Sequence, residues 1–523
     1  MLDKAKIKEL LGSRFTNDIH TSLADLPRPH EMSGAKEAAK IIAESIKNNE
    51  KIAIVGDYDC DGVCSSAILD EFFNDIKYPV KVRIPNRFKD GYGLNEDIVS
   101  ELDADLIITV DNGITAFEAA KLCKERGIKL VITDHHMPLD ELPDALVIVN
   151  PQIKENTFPF KEICGAQVAW YLVASLKDEL GLKEYNLGKF TDFLALAIIA
   201  DMMDLKDMNR VLVQNGLKRM NTSSRPCFKA IKIHTNKENF SFEDISFLIT
   251  PLINSAGRMS DAGISFDFLR SQTLDDACKY LDTIQSFNGI RKEREKELFE
   301  SSCKNVDPND KIIVTWGQQW HEGVLGIVAS RLARLFKRPA IVFSIDGDAA
   351  KGSARSVGRF DILKLISAHE KMLVSFGGHK GAAGVVIEEK RLEEFKKAIN
   401  SSCALENFSS SAYDDALGEI LPKEIDMELM NIIDSFAPYG SKNPKPMFWL
   451  NGAKVLNVAT MGNDNSHLRL NLSVDGRCFD AVNFNYELKP GLHSKVDILF
   501  ILSKNTFKGK ENLQLIIQEI VQK

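Results

Sequence analysis

Asp57, Asp59 and Asp61, then Asp111, then Asp134, His135 and His136 are the side chains of this sequence best suited to holding a metal ion. They stand in three short motifs, VGDYDCDG, TVDNG and ITDHH. Each motif follows an apolar, β-rich run (KIAIV, LIITV, KLVIT) and precedes a helix-like segment. On a parallel sheet all three would open onto the crevice at the carboxyl ends of the strands. Singly, each has an ordinary explanation, since an Asp-Gly after a strand is a common turn and a His pair can be structural or exposed. Together they ask for one explanation. Asp57, Asp59 and Asp61 alternate, so in an extended segment they point the same way, and like charges converging in a partly buried crevice repel strongly. Divalent cations relieve that repulsion. Oxygen-rich ligation with an imidazole suits Mg²⁺ or Mn²⁺, the nitrogen favouring Mn²⁺, whereas a zinc site would recruit Cys.

The elements that must position these groups can be read from pattern. At 523 residues the chain exceeds the roughly 250–300 at which single cores stop growing, so about three domains are expected. Net charge is -8, which argues against a general nucleic-acid coat but leaves room for local basic grooves. Nine cysteines without a C-x-x-C pair read as reduced intracellular thiols. The N-terminus is charged and amphipathic, and the longest apolar run, LALAIIA, falls far short of a membrane span. Residues 1–50 read as an N-terminal arm. Strand and helix patterns then alternate from 51 to about 150, including VKVRI and LVIV, which predicts a doubly wound parallel sheet. Helices follow, one running into Asp201. Residues 271–304 read as one long, mostly exposed helix joining two domains, with RKEREKE as a solvated face.

A second α/β unit is expected over 305–404. It holds WHEGVLG opening a helix, the donors Lys351, Ser353 and Arg355 in KGSARS, and a Gly-rich segment from Gly377 to Gly384. Read as a loop, that segment lets backbone N–H groups approach an anion. From 405 to 523, alternation such as HLRLNL predicts a small β-barrel or sandwich. Tyr439, Phe448, Trp449 and Phe479, interleaved with Lys442, Lys445, Lys454 and Arg469, are read either as a stacking surface for single strands or as core.

GDYDCDG, VDNGI and TDHH resemble the successive motifs of the DHH phosphoesterase superfamily, and Asp201 in IIADMMDL matches its next acidic motif. The chain resembles more narrowly the RecJ family of bacterial single-strand-specific exonucleases. IPNRFKDGYGLN, NSAGRM, WHEGVLGIVASRL, KGSARS, GGHKGAAG and SFAPYGSKNPKPMF are all similar to that family's segments. The resemblance implies a DHH-type catalytic domain over 51–270, a connecting helix, a DHHA1-type domain and a C-terminal OB-fold, with DNA threading between the catalytic domains. It implies processive hydrolysis of single-stranded DNA from the 5′ end to mononucleotides, in repair and recombination, with two Mn²⁺ or Mg²⁺ ions. By position, Asp59, Asp61, Asp111, His135 and Asp201 are implied as metal ligands, and Asp57, Asp134 and His136 as catalytic partners. Arg87, Asn112, Arg258, Ser353, Arg355, Gly377, Gly378 and His379 are implied as substrate contacts. Beside single-stranded DNA, the implied partners are a single-strand-binding protein and a helicase, for a cytoplasmic monomer.

Two rival readings use the same residues. A small-molecule phosphoesterase acting on pyrophosphate, cyclic dinucleotides or very short oligonucleotides would share the core but would not need the third domain. A replication scaffold that lost its chemistry would have no use for crowded carboxylates, which are destabilising without metal.

Overall fold

The computed structural model describes residues 1–358, 360–402, 416–462, 467–484, 495–507 and 510–522. The boundary expected at 404/405 lies outside the described residues. The chain forms two compact units, one of residues 27–203 with the described part of 212–408, the other of 1–26, 204–211 and the described part of 409–523.

The first sheet of the larger unit is built from β1 (Ile52–Val55), β2 (Val80–Arg83), β3 (Leu106–Val110), β4 (Lys129–Thr133) and β5 (Val147–Val149). All its pairings are parallel, in the order β2-β1-β3-β4-β5. Every residue of β1 and β3 is buried, as a parallel sheet covered on both faces requires. Ala53, Val55, Ile107, Leu130 and Ile132 pack on Ile98, Val99, Ala119 and Ala120. The Cys60–Asp75 helix contacts both the Gly165–Glu179 and Thr191–Ala200 helices, and in TDFLALAIIA all but the last residue are buried. The order of strands reverses direction between β1 and β3, and that switch point is where a crevice opens at the strands' carboxyl ends. The three motifs follow β1, β3 and β4, which are adjacent in the sheet.

The second sheet of this unit contains β6 (Ile313–Gln318), β7 (Ala340–Asp346), β8 (Ala349–Arg355), β9 (Ser375–His379) and β10 (Ala382–Glu388) in the order β6-β7-β8-β10-β9. Only β6 and β7 pair in parallel. The long helix, Leu274–Lys304, buries Ala277, Leu281, Ile284 and Leu298. Its charged run is solvated except at Arg291, which is buried beside Glu295 at 2.8 Å.

In the smaller unit, β12 (Met447–Met461), β13 (His467–Val474), β14 (Arg477–Asn483), β15 (Lys495–Phe507) and β16 (Lys510–Gln522) pair in a ring that β12–β15 closes, with β11 (Gly418–Glu419) added to β12. This is the closed five-stranded barrel expected of an OB-fold. Its core includes Ile7 and Leu11 from the N-terminal helix.

Candidate metal centre and phosphate cleft

The first motif turns sharply rather than running extended. Asp59 is the N-cap of the Cys60–Asp75 helix, its Oδ1 accepting from the Asp61 and Gly62 N–H groups at 2.9 and 3.1 Å. Such a cap contributes about 1 kcal/mol. Asp61 therefore sits in the first helical turn, where its carboxylate accepts from the Gly165 and Ala166 N–H groups at 2.6 and 2.9 Å. The carboxylates converge because a helix begins between them, not because they alternate along a strand. Gly62 is forced by this turn, since a Cβ there would lie 2.6 Å from Asp57 backbone and Cβ atoms.

After β3, Asp111 has φ 63°, a left-handed conformation that costs a non-glycine residue about 1–2 kcal/mol and that Asp tolerates better than most. The turn aims its carboxylate at the other acids. After β4, Asp134 accepts from the His135, His136 and Ile114 N–H groups at 2.7, 3.1 and 2.9 Å, and its Oδ1 lies 2.7 Å from His136 Nδ1. The His135 ring is left to the acids: its Nε2 is 3.2 Å from Asp111 Oδ1, 3.6 Å from Asp201 Oδ2 and 3.7 Å from Asp61 Oδ2. Asp201 arrives as the C-cap of the Thr191–Ala200 helix.

Three groups result whose candidate ligand atoms lie within 4.8 Å of one another: Asp111, His135 and His136; Asp61, His135 and Asp201; Asp57, Asp59 and Asp111. The crowding disfavours the charged forms of these carboxyls. Burial and then neighbouring carboxylates push Asp57, Asp111 and Asp201 well above the usual range, and burial likewise raises Asp61. His135 is pushed down by burial. Burial opposes charge at Asp134 and His136 too, but their mutual hydrogen bond wins, holding Asp134 low and raising His136 to about 9.

The residues fit hard divalent cations. Asp111 Oδ1 and Asp201 Oδ2 are buried without a hydrogen-bond partner, a costly condition that a cation removes. The donors are oxygen with imidazole, the set that Mn²⁺ and Mg²⁺ accept. Cys60, Cys64 and Cys164 are buried close by, but burial pushes the thiols of Cys64 and Cys164 well up, away from the thiolate form that binds metal.

A cleft of about 450 Å³ lies in the same unit, lined by Arg87, Arg258, Ser353, Arg355, Gly377 and Gly384 among others. Arg87 connects it to the acids, because its guanidinium lies 4.2 Å from the ring centre of Tyr58, between Asp57 and Asp59. Arg87 Nε is buried and unpartnered. Arg258 donates to Gly323 O at 3.2 Å, and burial, with Arg87 nearby, lowers it to about 10. Arg355 Nη1 donates to Ser353 Oγ at 3.0 Å and Ala354 O at 2.8 Å. Gly326 makes room for that fork, a Cβ there falling 2.6 Å from Arg355 Nη2. Three guanidinium groups line this cleft, a chemistry suited to an anion.

The comparisons with known proteins agree with this geometry. Family models match as "DHH family, N-terminal domain" over residues 51–198, "DHHA1 domain" over 309–405 and "RecJ OB domain" over 418–519. The single-stranded-DNA-specific exonuclease RecJ of Haemophilus influenzae is 33% identical, over 97% of this chain and 93% of its own length. This chain belongs to the RecJ family. The RecJ of Escherichia coli K12 is 30% identical over 97% of this chain and 94% of its own. The crystal structure of RecJ in complex with Mn²⁺ from Thermus thermophilus aligns with TM-score 0.85 at 27% identity, covering 99% of this chain and 76% of that one. The same protein has also been solved with Mg²⁺, at TM-score 0.79 and 25% identity, covering 99% and 74%.

Several expectations change in detail. Asp134, implied as a catalytic partner, holds the His136 ring, because the turn after β4 folds the second imidazole back onto it. Asn112 is a brace with no side-chain donor left for substrate: its amide donates to Val55 O and Val110 O, accepts from Leu94 N–H, and is fully buried. The Gly-rich segment is the β9–β10 hairpin, in which Gly377 pairs with Gly384 and Gly378 with Ala383, so it offers a flat edge to the cleft instead of a loop. Gly378 and His379 lie on that hairpin but do not line the cleft, and His379 Nδ1 accepts from Gly381 N–H. In the barrel, Tyr439, Phe448 and Trp449 are buried and Phe479 packs against the core, while Arg469 is held by Asp480 at 2.9 and 3.0 Å. Of the two readings of these aromatics, core is the one they follow.

Two aromatics not singled out from sequence stand at the acids. Tyr92 packs edge-on against Tyr58 and His136, at 6.1 and 6.0 Å. The GYG around it was the available signal.

Proposed function

We propose that this chain is a metal-dependent exonuclease that degrades single-stranded DNA from the 5′ end to mononucleotides. The observation that carries this reading is Arg87, which lines the phosphate cleft while its guanidinium stacks on Tyr58 beside the acids and its buried Nε has no hydrogen-bond partner. A group that binds phosphate is thereby fixed next to a group that binds metal. The names and domain composition of the relatives support the same substrate and reaction class.

Asp59, Asp61, Asp111, Asp201 and His135 would hold two divalent cations, whose chemistry when bound is to lower the pKa of water and to neutralise charge developing at phosphorus. Asp134 fixes His136 through Nδ1, leaving Nε2 for the leaving 3′-oxygen. Asp57 completes the acid wall. Arg87, Arg258 and Arg355 with Ser353 anchor the terminal phosphate, so that the next linkage along the strand meets the acids and one nucleotide is released at a time. The barrel retains the strand between cuts. We further propose a cytoplasmic monomer acting in repair and recombination on strands opened by a helicase and covered by a single-strand-binding protein. The nine scattered cysteines, with no C-x-x-C pair, support the compartment.

Substrate length tests the reading. Activity should persist or rise from short oligonucleotides to long single strands. Hydrolysis confined to pyrophosphate, cyclic dinucleotides or dinucleotides would instead support the small-molecule reading, and none on any substrate would support the scaffold.

A further inference from the structure

A second cavity, of about 550 Å³, adjoins the phosphate cleft and takes no part in the mechanism above. The two share no wall residue but meet at the start of the Glu322–Phe336 helix, where Glu322 and Gly323 line the cleft and His321 lines the cavity. One wall is the long helix, presenting Arg294, Glu297 and Ser301 on one face; the other is Gln319, Trp320 and His321. Gly317 permits this wall, since a Cβ there would lie 2.2 Å from Trp320 ring atoms. His321 Nδ1 accepts the Gly323 N–H at 3.2 Å, so the neutral ring carries its proton on Nε2. On its far side, Phe88 packs edge-on to His321 at 5.5 Å, which ties the cavity to the segment that bears Arg87.

The donor set is mixed in a particular way. Trp320, half-buried against the core, contributes an indole, Arg294, which lies 3.4 Å from Glu297, a guanidinium for phosphate, and Glu297, Gln319 and Ser301 acceptors and donors for a base edge. A simple anion would gain nothing from Trp320 and would be repelled by Glu297. A purely apolar ligand would make no use of Arg294, Glu297, Ser301 or Gln319. The volume falls within the range of small-molecule sites. From this we infer that the cavity is a second nucleotide site, which binds a 5′-mononucleotide such as the exonuclease releases and so slows the enzyme as product accumulates. The inference rests on the exonuclease reading for the origin of its ligand.

The test is a calorimetric titration of the full chain with dAMP in EDTA, where no turnover occurs, using wild type, Arg355→Ala, Arg294→Glu and Ser301→Trp. Saturable binding should survive Arg355→Ala and weaken about tenfold or more in both cavity variants. Added dAMP should slow DNA degradation by wild type and not by Arg294→Glu. No saturable binding at millimolar dAMP, or binding lost in Arg355→Ala and unchanged in the cavity variants, would overturn the site. Failure of the exonuclease reading shows separately, as labelled DNA left intact in Mn²⁺ whatever dAMP binding does.

Discussion

Asp111 is the residue on which metal binding and strain meet. Its backbone is left-handed, and its buried Oδ1 makes no hydrogen bond and has the His135 imidazole at 3.2 Å, a crowded state that a bound cation would relieve. Its carboxyl is pushed well above the ordinary range, so above that ordinary pKa its charge lowers stability when metal is absent. Asp111→Asn should therefore leave metal-free thermal stability equal or higher, abolish the stabilisation that Mn²⁺ gives wild type, and cut hydrolysis by about 100-fold or more. Melting curves in EDTA and in Mn²⁺ with a nuclease assay check all three. Asp61→Ala is a poorer probe, because it strands the Gly165 and Ala166 N–H groups at about 1–3 kcal/mol each. A terminal phosphate carries more charge than a diester and can take a bidentate guanidinium. Arg355→Ala should accordingly cost most on 5′-phosphorylated DNA, and Arg355→Lys should recover little. Equal losses on 5′-phosphate and 5′-hydroxyl substrates would make Arg355 a general backbone contact. The acids after β1, β3 and β4, the two imidazoles and Arg355 were legible from type and spacing, whereas Asp201, Arg87 and Arg258 came only from the family resemblance. The partner of Asp134 and the bracing role of Asn112 were not, because both depend on turn geometry that spacing does not encode.

Gly165 shows how an element can be shaped by a site it does not join. The Gly165–Glu179 helix begins against Asp111, and a Cβ at Gly165 would fall 2.4 Å from Asp111 Oδ1. Gly165→Ala should keep the fold, since alanine suits a helix start, yet displace Asp111 and weaken Mn²⁺ binding about 10–100-fold, as loss of a group positioning a ligand does. A metal titration followed by calorimetry reads this directly; unchanged affinity would mean that Asp111 is free to move. The parallel strands, the long helix and the alternating HLRLNL strand were legible because a buried strand, a helix face and a half-buried strand each impose their own period. GGHKGAAG was not, since glycine content signals backbone freedom without saying whether a hairpin or a loop uses it. The barrel aromatics were equally ambiguous: adjacent Phe448, Trp449 and Leu450 are all buried, where simple alternation would have exposed one.

The N-terminal helix belongs to the barrel's unit, where Ile7 and Leu11 enter the core and Lys4 pairs with Asp426 and Glu428 at 2.6 Å. Sequence gave no sign of this, because contacts between residues more than 400 positions apart leave no local period. A truncation at the barrel alone would therefore expose Ile7 and Leu11 to water, at about 1.5–3 kcal/mol each. A chain lacking both 1–26 and 416–523 is the better probe. It should bind long single strands more weakly and with a shallower salt dependence, yet still cleave short oligonucleotides. Unchanged affinity for long strands would give the barrel another task. The central claim, that the acid cluster and the arginine cleft together make a metal-dependent 5′-end exonuclease, is tested most directly by one time course. Single-stranded DNA labelled at the 5′ or the 3′ end is incubated with Mn²⁺, Mg²⁺ or EDTA. The account expects the 5′ label to leave at once as a mononucleotide, the 3′ label to persist on shortening strands, and no product in EDTA. Release of the 3′ label first, or equal product in EDTA, would contradict it.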